Sequence, residues 1–86
     1  MASYRIEWKP SAVKELKRLP HDVIPRVVAA VEALASNAFP QGVVRLKGSH
    51  HTYRIRIGDY RIVYTVEEDV LRIEIVRVRH RRDVYR

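Results

Sequence analysis

Gly58 and Asp59 separate two runs in which apolar and polar residues alternate, Tyr53-Arg54-Ile55-Arg56-Ile57 and Tyr60-Arg61-Ile62-Val63-Tyr64-Thr65-Val66. Period-two alternation is the pattern of a half-buried strand. A two-residue Gly-Asp connection between such runs signals a hairpin with a type II′ turn. The turn constrains the chain strongly because it fixes the register of everything that flanks it. Ile57 then faces Tyr60, Arg56 faces Arg61, Ile55 faces Ile62, Arg54 faces Val63 and Tyr53 faces Tyr64. One face of the ribbon carries Tyr53, Ile55, Ile57, Tyr60, Ile62 and Tyr64, and this is the face to bury. The opposite face carries Arg54, Arg56, Arg61, Val63 and Thr65.

The segments around this hairpin decide the fold class. Tyr4-Arg5-Ile6-Glu7-Trp8 alternates and predicts a first strand, which Pro10-Ser11 breaks. Ser11 can cap a helix carrying Ala12, Val13, Leu16 and Leu19 at helical spacing, and Pro20 ends it. His21 or Asp22 begins a second helix, with Pro25 in its first turn, where a missing N–H does no harm. Its apolar stripe is Ile24, Val27, Val28, Val31, Leu34 and Ala35, with an end near Ser36-Asn37. A connection of two or three residues makes the two helices an antiparallel hairpin. Beyond the loop Phe39-Pro40-Gln41-Gly42 the period becomes two. Strands are predicted at 43–46, on both sides of Gly58-Asp59, and at 70–78, with turns at 48–51 and 67–69. The last strand is apolar on both faces near its middle, which predicts a central position. The order strand, two helices, four strands predicts an α+β fold: an N-terminal strand, an α-helical hairpin, then antiparallel strands. The helices pack on one face of a four- or five-stranded twisted sheet, leaving the other face open. At 86 residues the chain is read as one domain spanning 1–86.

Charge narrows the partners. Seventeen Lys and Arg oppose ten Asp and Glu, a net charge of +7, which favours a polyanionic partner. Thirteen of the seventeen are arginine. Arginine grips phosphate with a planar two-pronged fork and keeps its proton, so nucleic acid is favoured over lipid. The absence of cysteine excludes a thiolate metal site, a disulfide scaffold and a thiol nucleophile. No leader-like or bilayer-length apolar run is visible, so the expected location is cytoplasmic and no membrane partner is expected. His50-His51 lacks nearby carboxylates, and neither a metal nor any other cofactor is expected. Trp8 and Phe39 read as core residues, and Glu67-Glu68-Asp69 as a solvated turn.

Arg56 opposite Arg61 is unfavourable by about 0.2–1 kcal/mol for stability alone. One reading is a solvated face that happens to be basic, since arginine is tolerated on exposed strand faces; the other is that an anion bridges the pair and reverses the sign. The tail, His80-Arg81-Arg82-Asp83-Val84-Tyr85-Arg86, comes directly after the last strand and can fold back on the arginine face. Tyr85 can stack on a base, and His80 is of the one side-chain type that titrates near neutral pH unperturbed.

Several stretches together resemble the RelE/ParE toxin superfamily of type II toxin–antitoxin systems. They are Ala12-Val13-Lys14-Glu15-Leu16 with Leu19, Arg45-Leu46-Lys47-Gly48, Tyr53-Arg54-Ile55-Arg56, Asp59-Tyr60-Arg61-Ile62-Val63-Tyr64 and His80-Arg81-Arg82-Asp83-Val84-Tyr85. The similarity spans nearly the whole chain. The Tyr-Arg-Ile-Val-Tyr strand and the tail are its specific parts, and the helical part is generic.

The resemblance implies a RelE-type ribonuclease that enters the ribosomal A site and cuts the bound messenger RNA without metal, by attack of a ribose 2′-hydroxyl on the adjacent phosphate. It implies Arg54, Arg56, Arg61, Arg81 and Tyr85 as catalytic residues, with Lys47, His80, Arg82 and Arg86 binding RNA. The general base is Tyr85 or His80, and the acid is Arg81 acting as a hydrogen-bond donor. Related chains can carry lysine where this one has Arg54 and Arg56, and arginine does not readily give up a proton. The implied partners are a cognate antitoxin, messenger RNA and the ribosome, with operator DNA reached only through the antitoxin. ParE-like members block DNA gyrase instead, and a non-catalytic antitoxin-binding domain is a third reading. The intact arginine set weighs against the last.

Overall fold

The computed structural model describes residues 3–82. Its elements are β1 (Arg5–Trp8), α1 (Pro10–Lys17), α2 (Ile24–Ala33), β2 (Val44–Arg45), β3 (Thr52–Ile57), β4 (Tyr60–Glu67) and β5 (Arg72–His80). The five strands form one sheet in the order β1-β5-β4-β3-β2. β1 lies parallel to β5, and the other neighbours are antiparallel. The α+β architecture anticipated from the sequence is present, and β5 occupies the interior position predicted for it.

The hairpin register matches residue for residue, from Ile57 opposite Tyr60 out to Tyr53 opposite Tyr64. Gly58 has φ +58°, and Asp59 is not among the non-glycine residues with positive φ. A turn with positive φ at its first central position alone is of the II′ kind. Ile55, Ile62, Tyr64, Val66, Ile73, Ile75 and Val78 are buried on one face of the sheet with Ala12 from α1 and Val27, Val31 and Leu34 around α2. Tyr64 donates its hydroxyl to the Ala38 carbonyl oxygen at 2.7 Å, tying the sheet to the loop after α2. Burial, and then Tyr53 nearby, pushes the Tyr64 phenol up to about 12, because a phenolate there would lose its hydration.

Several local expectations differ. Ser11 does not cap α1. Lys9 is the N-cap residue, no side chain caps it, and Pro10 is the first helical residue, a position where its missing N–H is harmless. Neither His21 nor Asp22 caps α2, which starts after Val23. Six residues separate the two helices, not two or three, because a turn closed by Val23 N–H to the Pro20 carbonyl precedes α2. Hydrogen-bonded turns do continue α2 to Asn37, close to its expected end. β2 is only two residues long. Phe39 is exposed, edge-on to Tyr53 at 5.0 Å, rather than a core residue.

β5 carries the departure with most consequence. Its pairing with β4 shifts by one residue between Val63, opposite Arg77, and Tyr64, opposite Ile75. Val76 is therefore the extra residue of a β-bulge. Counting in twos from Ile73 and Ile75 puts Arg77 and Arg79 on the core face. The bulge turns them outward and brings Val78 into the core instead. The adjacent apolar residues Ile75-Val76, which made the strand look apolar on both faces, are the sequence trace of this bulge. Among the described residues no helix is long and apolar enough to cross a membrane.

Candidate functional site

The hairpin turn and the end of β5 build the site. In a two-residue hairpin the residues flanking the turn form a hydrogen-bonded pair. The next pair out, Arg56 and Arg61, is therefore the closer, non-hydrogen-bonded kind, with Cα atoms about 4.5 Å apart. Arg61 in turn faces Arg79 on β5. Three arginines thus stand in one row across β3, β4 and β5. The neighbouring row reads Arg54, Val63, Arg77. Arg61 occupies the middle strand, and only 5 % of its surface is exposed. Its side chain, Nε included, is almost wholly covered.

Where β5 ends, the Arg81 N–H donates to the Asp59 carbonyl of the hairpin turn at 2.7 Å. That bond draws the start of the tail over the turn. The Arg81 Nε also lies 3.9 Å from the Asp59 carboxylate, a pair exposed on both sides and so weakly attractive. The result is a shallow cleft of about 360 Å³ lined by Arg56, Arg61, Arg81 and Arg82. Four arginines around one small cleft make a positive potential that favours an anion among them. Their forks are suited to the oxygens of a phosphate.

The remaining sequence candidates fall elsewhere. Arg54 lies one row away and, with Arg56, borders a larger neighbouring cleft of about 670 Å³ between α2 and the outer edge of β3. Lys47 is exposed in the turn before β3, at the end of that strand remote from Gly58. His80 faces Tyr60, and the two rings meet edge-on at 5.2 Å. Tyr60 belongs to the helix-covered face, so His80 points away from the arginine row. Its Nδ1 accepts the Arg82 N–H at 3.2 Å. Tyr85 and Arg86 lie outside the described residues. Among the described residues no three His, Cys, Asp or Glu side chains are placed to hold a metal ion.

Periodicity alone does not single out Arg77, Arg79 or Glu15. Beyond the end of β1 the edge of β5 has no strand partner, and Glu15 of α1 occupies it. Its Oε1 accepts the Val78 N–H at 2.8 Å, and its Oε2 accepts Arg79 Nε at 2.9 Å. Arg77 lies 3.8 Å away. The Ile75-Val76 pair could have flagged the bulge that turns Arg77 and Arg79 outward. No local signal announces a contact between residues 64 positions apart.

Residues 6–85 match the family described as the ParE toxin of type II toxin–antitoxin systems, parDE. The chain is 33 % identical over 86 residues to putative toxin RelE1 of Methanocaldococcus jannaschii, covering 96 % of each. It is 30 % identical over 88 residues to toxin RelG of Mycobacterium tuberculosis, covering 96 % of this chain and 97 % of the relative. The crystal structure of the archaeal RelE–RelB complex from Pyrococcus horikoshii superimposes with a TM-score of 0.82 at 30 % identity, over 92 % of this chain and 96 % of that one.

Proposed function

The chain belongs to the RelE/ParE toxins of type II toxin–antitoxin systems, and from that premise we propose that it is an endoribonuclease that cleaves messenger RNA in the ribosomal A site. The observation that carries this reading is the convergence of Arg56, Arg61, Arg81 and Arg82 on one small cleft. In the proposed reaction the 2′-hydroxyl of the bound nucleotide attacks the adjacent phosphorus. The bond to the 5′-oxygen breaks, leaving a 2′,3′-cyclic phosphate and a 5′-hydroxyl. Arg56 and Arg61 hold the phosphate oxygens and stabilise the charge that builds on them. Arg81 hydrogen-bonds the leaving oxygen from the tail side while water supplies the proton that makes it a hydroxyl, and Arg54 meets the RNA next to the cleft. Because arginine keeps its proton, another group must take the proton of the 2′-hydroxyl. His80 sits on the opposite face of the sheet, which favours Tyr85 as that base. Clustered guanidiniums lower the pKa of a phenol brought among them.

An antitoxin is the natural inhibitor in this reading. The solved Pyrococcus relative is a complex with RelB, and a net charge of +7 favours an acidic segment over the basic face. Operator DNA would be reached only through that partner.

Primer extension on programmed ribosomes tests the proposal. Cuts within A-site codons support it. Inhibition of gyrase supercoiling without RNA cleavage would replace it with the ParE-like activity.

A further inference from the structure

The basic surface extends beyond the cleft onto β5. Arg56, Arg61 and Arg79 are successive cross-strand neighbours on one face. With strands about 4.8 Å apart, the row spans about 10 Å, more than one phosphate group occupies. The cleft accounts for the Arg56 and Arg61 end of that row. The Arg79 end points along the sheet toward the free edge of β5.

Arg79 is tied to α1. Its Nε is held by Glu15 Oε2 at 2.9 Å. Its side chain is 38 % exposed against 20 % for Glu15. Guanidinium has five N–H donors; the bond to Glu15 uses the one on Nε, and the two terminal nitrogens make no hydrogen bond among the described residues. Glu15 is itself fixed by the Val78 N–H. It therefore holds the guanidinium at the edge of β5, where Arg79 borders a second cleft of about 360 Å³ together with Glu15, Arg18 and His80, while offsetting part of its charge.

The geometry points to Arg79 as a second phosphate-binding residue, taking the RNA phosphate next to the one in the Arg56, Arg61, Arg81 and Arg82 cleft, with Glu15 as the residue that positions it. This inference rests on the proposed RNA-binding function. Glu15 lowers affinity slightly in exchange for a fixed orientation, so the two residues act as one unit.

The test is equilibrium binding of the full chain to a short single-stranded RNA with 2′-O-methyl riboses, which cannot be cleaved by 2′-hydroxyl attack, measured at several salt concentrations. Each phosphate contact contributes about −0.7 to the log–log salt slope. Arg79→Ala is expected to make the slope shallower by about 0.7 and to weaken binding roughly fivefold at low salt. Arg79→Lys keeps the slope. Arg5→Ala, on the far edge strand and outside the row, leaves it unchanged. Glu15→Gln keeps an acceptor for the Val78 N–H, removes the negative charge, and tightens binding about twofold. That gain disappears in the Glu15→Gln/Arg79→Ala double variant. If thermal unfolding shows Arg79→Ala to be unfolded, Arg79→Gln gives the same reading, since it keeps a donor for Glu15 without the charge. An unchanged slope in the Arg79 variants, while Arg56→Ala and Arg81→Ala lower it, overturns the Arg79 inference alone. A Glu15→Gln gain that survives loss of Arg79 overturns the positioning role. A wild-type chain with no salt-dependent RNA binding overturns this inference, while primer extension on programmed ribosomes decides the proposed function separately.

Discussion

Replacing Tyr64 with phenylalanine isolates one bond that links the sheet to the loop after α2. The ring is fully buried, so the substitution keeps the packed volume and the stack on Tyr53 at 6.0 Å. It removes only the hydroxyl, which donates to the Ala38 carbonyl at 2.7 Å. Ala38 is also buried, leaving its oxygen without a donor and without water. Removing one partner of a buried hydrogen bond costs about 1–3 kcal/mol. For a domain of this size each kcal/mol moves Tm by roughly 4–8 °C, so Tm should fall by about 5–20 °C at neutral pH, monitored by circular dichroism. The same hydroxyl sets an alkaline limit. Its pKa is raised from 10.0 to about 12 in the folded chain, so the folded state holds the proton more tightly than the unfolded state. The associated stability is fully present below pH 10 and is lost as pH rises from 10 to 12. Two pKa units correspond to roughly 3 kcal/mol. The wild-type chain should therefore lose stability over that window by more than the phenylalanine variant does. A variant within about 2 °C of wild type at pH 7, or one with the same alkaline loss, would refute the reasoning.

Other perturbations separate site from scaffold. Arg81→Ala should lower cleavage roughly 100-fold or more with Tm unchanged, because its side chain is largely exposed. Arg61→Lys should also impair cleavage by losing the two-pronged fork, whereas Arg61→Ala should lower Tm as well, since Arg61 is buried. Leu71 is held at φ +52° in the turn before β5, a conformation that strains a leucine by about 1–2 kcal/mol. Leu71→Asn should raise Tm by several degrees in a melting experiment. Gly58→Val places a β-branched residue at φ +58°, at a cost of about 1–3 kcal/mol. It should lower Tm and, by shifting the Asp59 carbonyl that anchors Arg81, reduce cleavage more than the stability loss explains.

The order of residues along the chain is enough to define the hairpin and its local consequences. Period-two alternation around Gly58-Asp59 dictates which residues face each other. The pairing of Arg56 with Arg61 and the inward face of Tyr53, Ile55, Ile62 and Tyr64 are therefore legible without coordinates, and the structure has both. Those relations hold between residues close in the chain, where turn geometry leaves one register. The rest of the site exists only once the sheet has assembled. A bulge at Val76 turns Arg77 and Arg79 onto the basic face, where counting in twos puts them with the core. The unbroken count from Val78 then sets His80 beside Tyr60, away from the arginines. The Asp59 carbonyl brings Arg81 over the turn, and Glu15, far away in sequence, closes the free edge of β5 and takes hold of Arg79. Each of these depends on where an unpaired backbone group or a single extra residue ends up in the assembled sheet, and residue periodicity carries no record of that.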